Sequence, residues 1–75
     1  MRERTLGIGF IGAGFIAQVA HLPAFLRHPR VRGKAMADAR PGLRAAVARA
    51  HGLADAATPR AVLDDPAIQA VVICV

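Results

Sequence analysis

The apolar positions of this chain change period along its length. Residues 5–11, "TLGIGFI", are a short and nearly continuous apolar run bounded by glycine, the pattern of a parallel strand buried on both faces. Past Gly12-Ala13-Gly14 the spacing turns helical, with Ile16, Val19, Ala20, Pro23, Phe25 and Leu26 at three- and four-residue steps up to Arg27. Pro23 predicts a kink or an irregular last turn, because proline lacks the N–H and its ring meets the carbonyl four residues back. "VRGKAMAD" (31–38) predicts a second strand ending at Asp38.

"PGLRAAVARAHGL" (41–53) predicts a helix that starts at Pro41 and is stopped by Gly52. Leu43, Val47 and Ala50 share one face of it, while Arg44 and Arg49 lie away from that face. A short third strand is expected around 54–57, then a helix from Pro59 to about Asp64 capped by Thr58. "DDP" turns the chain into "AIQAVVICV" (67–75), which predicts a buried central strand. Strand–helix alternation of this kind is that of an α/β fold. The expected architecture is an incomplete doubly wound parallel sheet of the Rossmann type, with about four strands and three helices.

Gly12-Ala13-Gly14-Phe15-Ile16-Ala17 fits the spacing G-x-G-x-x-G/A. The chemistry needs small residues at those places. Gly12 makes the tight turn from strand to helix, Gly14 lets a pyrophosphate approach the backbone, and Ala17 lets the helix pack on the strand. The N–H groups around Gly14, Phe15 and Ile16, at the positive end of the helix, then hold phosphate. The motif stands between a predicted strand and a predicted helix, which is the context it requires. Asp38 follows Ala17 by 21 residues at the end of the second strand, where a carboxylate accepts hydrogen bonds from an adenosine ribose. The plainer reading of Asp38 is a helix cap.

Charge and composition remove other classes. Leu6 to Leu26 holds no Lys, Arg, Asp or Glu and is long enough to span a bilayer, yet Gly7, Gly9, Gly12, Gly14, Gln18, His21 and Pro23 interrupt it. Arg2 and Arg4 before an apolar stretch suggest an export signal, but Glu3 and the poor cleavage site "QVA" argue against one. The formal net charge of +5 concentrates at Arg27, Arg30, Arg32 and Lys34, without the aromatic residues of a nucleic-acid surface. The one cysteine, Cys74, excludes an internal disulfide and suits a reducing cytoplasm. His21, His28 and His51 lack metal-site spacing, so no metal is expected.

"IGFIGAGFIAQVAHLPAF", "AMADARPGLRAAVARAHGL" and "TPRAVLDDPAIQAVVICV", in that order, resemble the N-terminal half-domain of the Gfo/Idh/MocA oxidoreductases, from about Leu6 to Val75. The resemblance implies that residues 1–75 are the N-terminal part of a dinucleotide-binding domain, with the substrate domain outside this chain. It implies hydride transfer between NAD(P) and a carbinol carbon of a sugar, polyol or related metabolite, in a homo-oligomer. Cofactor contacts are implied at Gly12, Gly14, Phe15, Ile16, Asp38, Arg40, Cys74 and Val75, and the family's catalytic lysine and its later Asp/His would lie past Val75. Asp38 favours NAD, since a carboxylate repels the 2′-phosphate of NADP, whereas Arg40 can stack on adenine or neutralise that phosphate. Two other readings stay open: a dinucleotide-binding or regulatory module without catalysis, and a flavin site built on the same glycine turn.

Overall fold

The structure, a computed structural model, describes residues 4–74. Four parallel strands make one sheet: β1 (Leu6–Ile11), β2 (Val31–Ala37), β3 (Ala54–Ala56) and β4 (Ala70–Ile73), in the order β3-β2-β1-β4. The helices are α1 (Leu22–Leu26), which continues a π-helical turn over Ala17–His21, then α2 (Pro41–His51) and α3 (Pro59–Leu63). The expected α/β doubly wound arrangement is therefore present.

Alternation along β1 explains the two layers. Ile8 and Phe10 point to one face, where they pack with Ala17, Leu22, Met36, Val47, Ala48 and Leu53 beneath the first two helices. On the opposite face Ala35 and Ala37 meet Val62 of α3. Phe10, Leu22, Met36 and Val62 are the largest fully buried side chains, each contributing about 1.5–3 kcal/mol through burial. α3 comes close because β1 offers Gly9, where a β-carbon would run into Val62 Cγ1. Helices on both faces, and a strand order that reverses beside β1, give the sheet a switch point between β1 and β4.

Local signals placed several boundaries. Pro41 opens α2, and Gly52 closes it at φ 69°, a left-handed C-cap. Thr58 Oγ1 accepts from the Ala61 N–H at 3.2 Å, as a cap should.

Two elements differ in detail from what the sequence alone suggests. Along the first helical stretch the buried residues are Ala17 and Leu22, whereas Ile16, Val19 and Phe25 stay exposed. The reason is the π turn: the Leu22 N–H bonds to the Ala17 carbonyl, five residues back. That extra residue rotates the helix face and widens the turn ahead of Pro23. β4 starts at Ala70 rather than 67, pairs with β1 alone among the described residues, and leaves Ile73 62% exposed. The residues before it are held in a turn, where the Gln69 N–H bonds to Gly7 O and Gln69 Oε1 accepts from the Gly7 N–H. No helix among the described residues is long and apolar enough to cross a membrane.

Candidate functional site

The carboxyl ends of β1, β2 and β4 converge on the glycine motif. The Gly12 N–H bonds to Ala37 O at 2.8 Å, continuing the β1–β2 ladder, and the Cys74 N–H bonds to Ile11 O at 2.8 Å on the other side. Gly12 turns the chain with φ 107°, a conformation costly for any residue with a β-carbon. A β-carbon there would also collide with the Cys74 carbonyl. Around Gly14 the surroundings are open: the one heavy atom within 4 Å of its missing β-carbon is Arg40 Nη2, at 3.6 Å.

The helix that follows starts its backbone ladder with the Gln18 N–H bonded to Gly14 O. The N–H groups of residues 14–17 thus precede the ladder and have no partner within the helix. The Gln18 side chain secures the turn by donating from Nε2 to Ala13 O at 2.9 Å. Phe15 is 79% exposed and Ile16 half exposed, so neither side chain is packed into the core beside the turn.

Asp38 joins the strands to the motif. Its Oδ2 accepts from the Ala13 N–H at 2.7 Å and from Arg40 Nη2 at 3.0 Å. Its Oδ1 accepts from the Arg40 N–H at 2.8 Å and from Arg40 Nε at 2.9 Å. The carboxylate therefore clamps the glycine turn instead of capping the N–H groups inside α2. The Asp38 side chain is 5% exposed and the Arg40 side chain 63%. The guanidinium of Arg40, followed by the Ala13 N–H, holds the Asp38 carboxyl well below the usual carboxylate range. The same pairing raises the Arg40 pKa.

Cys74 is buried beside Gly12, and desolvation pushes its thiol up. Val75 lies outside the described residues. Among the described residues no group of three His, Cys, Asp or Glu side chains is placed to hold a metal ion. A groove of about 610 Å³ lined by Leu6, Ile8, Phe25, Val31 and Gln69 opens at the amino ends of the strands, away from these residues. The candidate site lies instead at the carboxyl ends, where sheets of this class bind ligands.

Sequence reasoning missed Arg44. Its helical position predicts an exposed side chain, yet it folds back over the sheet end with its Nε on Asp55 Oδ1 of β3 and its Nη1 3.4 Å from Asp38 O. Only 16% of that side chain is exposed. Asp55, eleven residues on, was the available signal, readable once β3 is placed beside β2.

An NAD-type dinucleotide fits what is present: an open glycine turn, free leading N–H groups and a carboxylate at the end of β2. The family model described as "Oxidoreductase family, NAD-binding Rossmann fold" matches residues 6–75. No curated protein matches the chain. Among solved structures, a protein proposed to be a myo-inositol dehydrogenase from Sinorhizobium meliloti 1021 is 38% identical, with TM-score 0.83 over 93% of this chain and 21% of its own. GenD2 from gentamicin A biosynthesis, crystallised with NAD, is 25% identical, with TM-score 0.90 over 97% of this chain and 21% of its own. KijD10, a 3-ketoreductase from Actinomadura kijaniata crystallised with NADP, is 25% identical, with TM-score 0.84 over 91% of this chain and 22% of its own. The chain thus spans about a fifth of the length of these proteins. It belongs to the Gfo/Idh/MocA family of oxidoreductases with an NAD-binding Rossmann fold.

Proposed function

We propose that this chain is the N-terminal, cofactor-holding part of an oxidoreductase that moves a hydride between NAD(P) and a carbinol carbon of a sugar, polyol or related metabolite. The observation that carries the reading is the junction of Gly12, Asp38 and Cys74 at the switch point of the sheet. When bound, the nicotinamide ring supplies the hydride chemistry. The chain's own residues bind and orient. The backbone N–H groups of Gly14, Phe15 and Ile16 take the pyrophosphate, and Asp38 takes the adenosine ribose. Arg40 serves the adenine or a 2′-phosphate, while Cys74 lines the side of the cofactor that faces β4. None of these residues is assigned a role in proton transfer, which falls to residues outside this chain, on a substrate domain.

The test is to titrate the full-length protein with NAD and NADP by calorimetry, then to follow nicotinamide absorbance with a panel of sugars and polyols. Micromolar binding with turnover of at least one hydroxyl substrate is expected. Binding with no turnover of any oxidisable substrate would replace the enzyme reading with a dinucleotide-binding module.

A further inference from the structure

Asp38 has room for about four hydrogen bonds, two on each carboxylate oxygen. All four places are taken. Oδ1 holds the Arg40 N–H and Nε, and Oδ2 holds the Ala13 N–H and Arg40 Nη2. The two backbone bonds fix the carboxylate in place. The two guanidinium bonds, one on each oxygen, occupy the sites that the two hydroxyl donors of a ribose 2′,3′-diol would need. The guanidinium also lies 3.6 Å from the position of the missing β-carbon of Gly14, over the surface that a pyrophosphate would approach.

We propose that Arg40 is a latch on its own binding site: docked on Asp38 in the ligand-free protein, it is displaced by the ribose of NAD and recruited by the 2′-phosphate of NADP. The inference rests on the dinucleotide reading above and adds a competition within the chain. NAD binding breaks the ion pair and puts the diol on the two vacated sites. NADP offers one hydroxyl fewer to Asp38 but gives the released guanidinium a phosphate, which it holds through parallel N–H bonds. Arg40 therefore opposes one cofactor and assists the other. Because the Arg40 side chain is 63% exposed, water screens the pair and the opposition is small, whereas the phosphate contact it provides is large.

The experiment measures dissociation constants for NAD and NADP on the full-length protein and on Arg40→Ala and Arg40→Lys. Both variants keep the backbone N–H that holds Asp38, and circular dichroism checks that they fold. In Arg40→Ala, NAD is expected to bind about two- to fivefold tighter, and NADP about tenfold or more weaker. Arg40→Lys keeps a charge for the phosphate but cannot bridge both oxygens, so it is expected to tighten NAD while retaining most NADP affinity. Weaker or unchanged NAD binding in both variants, with the wild type binding normally, overturns the latch and leaves the dinucleotide site standing. Failure of the wild type to bind either cofactor removes the site and the latch together.

Discussion

The carbonyl of Cys74 lies against Gly12 on the side where any other residue would carry its β-carbon. Two strand ends that are distant in sequence thus approach within the thickness of a missing methyl group. Gly12→Ala meets both this backbone contact and the strain of φ 107°. The conformational strain alone is on the order of 1–3 kcal/mol. Urea unfolding is expected to show at least that loss, together with reduced dinucleotide affinity because the end of β4 must move. An unchanged unfolding midpoint would refute the close approach.

The Asp38 carboxyl titrates lower in the folded protein than in the unfolded chain, through Arg40 first and the Ala13 N–H second. Between the two values the unfolded chain binds more protons, so stability rises with pH there. The contribution is complete above the ordinary carboxylate range near pH 4 and disappears as the pH falls below it toward the folded-state value. Denaturation midpoints between pH 2 and pH 6 should drop more steeply on the acid side for the wild type than for Asp38→Asn. Parallel curves would show that Asp38 is not held as described.

Asp38→Ala in the full-length protein is expected to weaken NAD more than NADP, because only NAD offers both ribose hydroxyls to the carboxylate. Paired calorimetric titrations decide this. Equal losses for the two cofactors would move the ribose contact elsewhere.

Gly9 and Val62 share one space across the β1–α3 contact. Gly9→Ala overfills it, at a cost of about 1–3 kcal/mol. Val62→Ala alone leaves a cavity in a side chain that is fully buried. The double variant should be more stable than the sum of the two losses predicts, as contacting residues couple. Strict additivity in chemical denaturation would argue that α3 does not sit on Gly9.

What the sequence made legible was local or fixed in type. Gly52, Pro41 and Thr58 act on their own turn of backbone, so their roles follow from identity and neighbours alone. The β1 strand and the Gly12–Ala17 spacing are equally self-contained, and Asp38 could be found by counting from them. The π turn was hidden because the face of a helix depends on a single added residue, which a period of three and four cannot reveal. Arg44 looked solvated because its partner Asp55 belongs to the next strand. The pairing of Arg40 with Asp38 was hidden too, although the two are only two residues apart. Their identities are plain in the sequence, but the direction of the Arg40 side chain is set by the Ala13 turn that fixes the carboxylate.

Strand order also has a kinetic consequence. Among the described residues β1 is the first strand and β4 the last, yet residues 8–11 pair directly with residues 70–73. Helical turns and the β1–β2 crossover involve shorter closures, while the β1–β4 contact closes the longest loop of the three strand pairings in this sheet. In refolding experiments, helical ellipticity should therefore recover before the chain regains the ability to quench or enhance the fluorescence of a reduced nicotinamide. Simultaneous recovery would mean that β4 docks early. On the expected order, cofactor capture reports the closure of this sheet, and chains in which β4 has not docked stay silent in any binding assay.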